Sequence, residues 1–379
     1  MRKYVALCLA VFLVFSLLAG CGSPGSVNTG DSGDAVDSGA AGDAGNVVDT
    51  GNTVDTGDAG DTGKTGDSGN AGDAEDDGKW KSTCYSEDDP EADGLPRVYM
   101  TSDISPEGLM AVYEALGRPA EGKTAIKIHM GEPGNTNYVS PDLIKDLVLS
   151  VDGTFVDCNT YYGGRRTQTE AHIQAAKDHG FTYAPIDILD AEGEIKLPIE
   201  GGARLQEAIV GSHYPDYDFI ISIAHFKGHE LAGFGGAFKN IAVGIASVNG
   251  KKAIHDEPGS YMFSTRGDAF LEKIVETAKA IIDDKGEKMV YINVVNNLSV
   301  DCDCNSHPQR AKMSDIGILA SLDPVALDKA CVDLIYAAPE DERRELVWRI
   351  ESKNGLHLLA YAEQLGLGSQ KYVLVNLDD

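Results

Sequence analysis

Basic side chains are scarce: 32 lysines and arginines face 60 aspartates and glutamates across 379 residues, for a formal net charge of -28. Phosphate binding needs a basic face, so this balance argues against a nucleic-acid partner. It also disfavours spontaneous docking of the folded part on anionic lipid. Long apolar runs are lacking too. Residues 5–19, broken only by Ser16, have the length of a signal-peptide core and fall short of a spanning helix. Apolar residues nearly vanish from residues 22–79, where 13 acidic side chains accompany 2 lysines.

What is present at the start is an address. Arg2 and Lys3 precede the apolar run, which ends Leu18-Ala19-Gly20-Cys21. That ending looks like a bacterial lipobox, so residues 1–20 are expected to be a lipoprotein signal peptide and Cys21 the lipidated residue. An ordinary signal peptide with an incidental cysteine is the plainer alternative. Lipid chains anchor by burying methylenes, at about 0.8 kcal/mol each. The expected place is the bacterial cell membrane, lipid-anchored and facing outside the cytoplasm.

Aspartate then recurs at 31, 37, 43, 49, 55, 61, 67 and 73, a six-residue period built mostly on Asp-Ser/Thr/Ala-Gly. Nothing there offsets the entropy of ordering the chain, which predicts a disordered tether over residues 21–79. A coil of that length spans roughly 40 Å between its ends. A calcium-binding array would also use Asp near Gly, but stacked repeats need an apolar residue per unit and this unit lacks one.

From residue 80 onward the pattern predicts a single α/β domain with a mainly parallel sheet flanked by helices, residues 80–379. Strands are expected at 97–101, 124–130, 154–158, 219–224, 289–295, 316–321 and 372–375. Helices are expected at 106–116, 141–149, 169–179, 268–283 and 324–337. Ser105, Ser140 and Asp323 are the expected N-caps.

Seven cysteines are present. Cys8 leaves with the signal, and Cys331 sits among Leu327, Leu334 and Ile335 at helical spacing, as a core thiol does. A disulfide between Cys84 and Cys158 is open outside the cytoplasm. Cys302-Asp303-Cys304 differs in kind. One intervening residue strains a mutual disulfide yet lets two thiolates face one metal or cluster. Two solvent-facing or disulfide-bonded cysteines are the alternative. His229 and His255 are further candidate ligands, each open to a plain hydrogen-bonding role.

After the apolar run 219–224 come Lys227, a glycine-rich stretch from Gly233 to Gly236, Lys239 and Asn240. A cation-bearing loop beyond a buried strand is where ligands bind in this class, and glycines let backbone amides approach an anion. A structural glycine turn is the alternative, and the stretch is no P-loop, since the Gly-Lys-Ser/Thr ending is missing. Lys127 lies in an otherwise apolar strand and needs a partner or a ligand.

The stretch Ala224-His225-Phe226-Lys227-Gly228-His229-Glu230, then Gly233-Phe234-Gly235-Gly236-Ala237 with Lys239-Asn240 and Gly250-Lys251, resembles domain-of-unknown-function family 362. So do Cys302-Asp303-Cys304 with Asp315-Ile316-Gly317, Asp157-Asn159-Thr160-Tyr161 with Gly164-Arg165, and Lys127 with Gly131. The similarity runs from about residue 97 to the C-terminus. It implies an iron–sulphur or other transition-metal centre, with Lys127, Lys227, Lys239 and Asn240 as ligand-binding positions and Cys302, Cys304, His229 and His255 as metal positions. Many relatives carry a ferredoxin-like insert that would follow His255, but residues 256–284 hold no cysteine. The expected function is a membrane-anchored protein that binds such a centre, with a redox role and a redox partner. The alternative is a non-catalytic lipoprotein that binds a small anionic ligand or cofactor.

Overall fold

The computed structural model describes residues 82–378. The expected leader, Cys21 and the tether lie outside them. In chain order the strands are β1 (Cys84–Tyr85), β2 (Arg97–Thr101), β3 (Thr124–Lys127), β4 (Thr154–Asp157), β5 (Ile186–Ile188), β6 (Glu194–Pro198), β7 (Glu207–Gly211), β8 (Phe219–His225), β9 (Lys227–His229), β10 (Gly233–Gly235), β11 (Met289–Val295), β12 (Gly317–Ser321) and β13 (Tyr372–Asn376). The helices are α1 (Pro106–Ala115), α2 (Pro141–Ser150), α3 (Thr169–Asp178), α4 (Ala237–Ile245), α5 (Val248–His255), α6 (Gly267–Lys285), α7 (Pro324–Ala337), α8 (Glu340–Ser352) and α9 (His357–Gln364).

Nine strands form one sheet in the order β1-β13-β2-β12-β11-β8-β3-β4-β5. Neighbours are parallel except around β12, which runs antiparallel to β2 and β11. The central strands are apolar on both faces, as a sheet covered on both sides requires. Alternation sorts their side chains. Ile221 and Ile223 of β8 and Ile292 and Val294 of β11 pack against Leu109 of α1 and Leu147 of α2. Ile220 of β8 and Tyr291 of β11 face the opposite layer, with Phe238 of α4, Phe270 of α6 and Leu327 of α7. Burying each such side chain contributes about 1.5–3 kcal/mol.

The chain steps from β3 outward to β4 and β5, then returns to β8 on the other side of β3 and leaves through β11. Strand order therefore reverses between β3 and β8, and a crevice opens beyond their carboxyl ends, where ligands bind in open α/β sheets.

Two sequence expectations fail. Ser105 and Asp323 do cap α1 and α7, accepting from the Gly108 amide and from the Val325 and Ala326 amides. Ser140 makes no side-chain capping bond; Pro141 opens α2 without one. The disulfide is excluded as well, since Cys84 on β1 and Cys158 just after β4 lie far apart across the sheet. Seven strand spacings of about 4.8 Å separate β1 from β4, roughly 34 Å.

Candidate functional site

Two chain segments meet at one wall of the crevice. The first is the hairpin of β9 and β10. The Gly228 amide donates to the Ser299 carbonyl at 2.8 Å, and a Cβ on Gly228 would fall 2.4 Å from the Val300 carbonyl oxygen. Glycine at 228 thus lets the loop after β11 lie directly on β9. That contact carries Cys302 and Cys304 to His229. One ligand atom from each of the three residues lies within 4.8 Å of the others.

The one-residue spacing has a clear consequence. Cys302 and Cys304 both line the crevice, while Asp303 between them turns inward. The Asp303 carboxylate accepts from His225 Nδ1 at 2.8 Å and lies 3.0 Å from Lys227 Nζ. His225 and Lys227 outweigh burial and hold Asp303 below the usual carboxylate range. This buried pair keeps the cysteine loop in place. The two thiols are pushed apart: contact with Cys304, then the Lys239 ammonium and the His229 ring, holds Cys302 well below the ordinary thiol range, while Cys304 is raised well above it.

His229 is positioned by its own turn. Its Nδ1 accepts from the Leu231 amide at 3.2 Å and the Ala232 amide at 3.0 Å, so Nε2 carries the ring proton and the ring hydrogen-bonds Cys302. Burial and Lys239 lower its pKa to about 4. His255 has the opposite arrangement: its Nδ1 faces the Lys251 carbonyl at 2.7 Å, which leaves Nε2 an unprotonated acceptor. It lines the same crevice but stands outside the His229–Cys302–Cys304 group.

The expected ligand-binding residues are largely committed to the protein. Lys127 is 1% exposed, 3.4 Å from the Asp157 carboxylate and 3.1 Å from Asn240 Oδ1. A Cβ on Gly244 would lie 2.0 Å from Lys127 Cε, so glycine there makes room for the lysine stem. Asn240 Nδ2 donates to the Lys127 and Ile223 carbonyls and to Ser222 Oγ, which ties β3 to β8 where their connections diverge. Lys227 is paired with Asp303. Of the four, Lys239 alone makes no hydrogen bond or ion pair among the described residues and lines the crevice. The backbone amides just after the glycine-rich stretch are also engaged: Ala237 and Phe238 at the start of α4 donate to the buried Asp328 carboxylate.

The crevice encloses about 570 Å³, a size suited to a small organic ligand. Sequence reasoning missed several of its residues. Arg166 is buried against Glu132 at 2.8 Å; His129 lies beyond β3, its pKa driven well down by burial and by Arg166; Lys251 lies on α5. Buried charge was the available signal for Arg166, but the second of two adjacent arginines after a glycine pair gives no sign of burial. Helical spacing of Ala237, Phe238, Ile241, Ala242 and Ile245 marked α4, which the glycines before it obscured.

A family model described as a domain of unknown function, DUF362, matches residues 124–333, more than half of the chain. No curated protein matches the sequence. Among solved structures, the lactate racemase apoprotein from Thermoanaerobacterium thermosaccharolyticum is similar at 16% identity with a TM-score of 0.37, over 67% of this chain and 61% of that one. A Thermotoga maritima protein is similar at 16% identity and a TM-score of 0.35, over 60% of this chain and 57% of that one. The chain thus spans about three fifths of the length of each. With the family model covering β3 through most of α7, and so all of the crevice-forming strands, the chain belongs to the DUF362 family.

Proposed function

We propose that the protein holds a single soft transition-metal ion at Cys302, Cys304 and His229, on the wall of a ligand-binding crevice. The observation that carries this reading is the approach of the three ligand atoms to within 4.8 Å. Two thiolates and an imidazole suit soft or borderline metals. A four-thiolate iron–sulphur cluster fits less well: Cys84, Cys158 and Cys331 stand outside the group. Three protein ligands leave a coordination position open to the crevice, as catalytic metal sites do. For Nε2 to ligate, the His229 ring proton must move to Nδ1, which breaks the bonds from the Leu231 and Ala232 amides, so its ligation is the weakest link and the thiolates the strongest. A redox role follows if the metal is iron or copper.

The test is metal analysis of the full-length chain purified without oxygen. About one equivalent of a transition metal is expected. Protein free of iron, copper, zinc, nickel and cobalt under those conditions would sink the metal reading and leave the anion-binding alternative.

Membrane attachment is part of the same proposal and rests on Leu18-Ala19-Gly20-Cys21. No helix among the described residues is long and apolar enough to cross a membrane; the attachment proposed is by lipid on Cys21. Cys21→Ser should abolish lipid labelling and release the protein or leave it unprocessed. Normal processing with unchanged membrane retention would show that Cys21 is not the anchor.

A further inference from the structure

Lys251 stands out among the buried charges of the crevice. It is 6% exposed, yet the only partner of its ammonium among the described residues is the Ala246 carbonyl at 2.6 Å. Lys127, Lys227 and Arg166 each have a carboxylate within 3.6 Å; Lys251 has none. A buried ammonium without a counter-charge is costly, and this one opens onto a cavity. Lys239, on α4 and lining the same cavity, likewise has no carboxylate partner among the described residues; the one negative charge it faces is that of the nearby Cys302 thiol. Both lysines line this one cavity, Lys239 from the first turn of α4 and Lys251 from α5.

We propose that Lys251 and Lys239 together form the anion subsite of the crevice, and that its ligand is a small organic phosphate. Two ammonium groups without a carboxylate partner match a dianionic phosphoryl group, with Lys acting as a point charge. The cavity is far larger than a phosphate, and Leu231, Val243 and Phe263 give apolar wall for an organic part. His255, whose ring is held by the backbone carbonyl of Lys251, turns an acceptor nitrogen toward the same space. The ligand therefore carries a hydrogen-bond donor, such as a hydroxyl, beside its phosphoryl group. This assignment rests on the ligand-binding part of the proposed function and is independent of its metal.

The experiment uses the full-length chain treated with a chelator, titrated calorimetrically with inorganic phosphate and followed by thermal unfolding. Phosphate should bind and raise the Tm. Lys251→Met and Lys239→Met should each weaken phosphate binding about 10- to 100-fold, as loss of one charge-assisted contact does. Lys251→Met should also raise the Tm in phosphate-free buffer, because it removes an uncompensated buried charge. A lysine with a purely structural role would lower it. The proposal is overturned if the wild type does not bind millimolar phosphate, if both variants bind it as tightly as the wild type, or if Lys251→Met lowers the phosphate-free Tm with binding intact. Should Lys251→Met fail to fold, Lys239→Met decides alone. Phosphate binding by a chain that never takes up metal would sink the metal reading and leave this one standing.

Discussion

Replacing Cys302 and Cys304 together by serine is expected to reduce bound metal to background while the domain stays folded. Thiolate is the soft donor of the site, and a serine hydroxyl at neutral pH is protonated and a poor ligand for the same metals. The fold should survive because neither cysteine belongs to the apolar clusters of the core, and the loop is held instead by Asp303 with His225 and Lys227. His229→Asn is the companion variant. Asparagine can still accept the turn amides of residues 231 and 232 but offers no imidazole nitrogen, so it separates ligation from the structural bond. Metal content measured after anaerobic purification, with circular dichroism as the fold control, reads both variants. Retention of stoichiometric metal by the double serine variant would place the metal elsewhere. The pH dependence has a definite sign. Cys304 is raised well above the ordinary thiol range by its neighbour Cys302 and must lose its proton to ligate, so affinity should fall as the pH falls, by about tenfold per unit for each proton released.

The Cys-x-Cys spacing was legible in sequence because a one-residue offset in an extended loop puts two thiols on one side whatever the fold around them. The partner, His229, was legible only as a histidine after a buried strand. What brings it to the thiols is Gly228, whose missing side chain admits the Val300 carbonyl, and no local pattern announces such an approach. Lys127 shows the limit of reading charge. A lysine in an apolar strand does require a partner, but sequence could not distinguish a ligand from Asp157, which sits on the neighbouring strand 30 residues later. Lys251 is the reverse case: at helical spacing among polar neighbours it looks like a solvated side chain, and only the packing of α5 against β7 and α6 buries it. Strand order likewise exceeds the sequence. Alternating elements predict a parallel sheet, whereas the antiparallel insertion of β12 between β2 and β11 depends on which gap the returning chain finds.

Asp157→Asn is expected to cost about 3–5 kcal/mol of stability, the loss typical of breaking a buried ion pair by removing one member. The Asp157 carboxylate at the end of β4 is 3.4 Å from Lys127 Nζ, 3.6 Å from Arg166 and 3.7 Å from His172 Nε2. All four side chains are nearly inaccessible to water. Asparagine keeps the shape but removes the carboxylate partner of a lysine that is 1% exposed. Lys127→Met on top of Asp157→Asn should recover a large part of the loss, because the stranded charge is then gone as well. The pH profile provides an independent check. Lys127, His172 and Arg166 outweigh burial and hold Asp157 well below the usual carboxylate range. A depressed folded-state value means that the unfolded chain takes up the proton first, so the contribution is complete above about pH 4 and is lost as the pH falls through the folded value. The difference between wild type and Asp157→Asn in urea unfolding should therefore be constant from pH 7 to pH 5 and shrink only below about pH 4. A cost under about 1 kcal/mol at pH 7, or a double variant no more stable than the single one, would mean that Asp157 and Lys127 do not balance each other across β3 and β4.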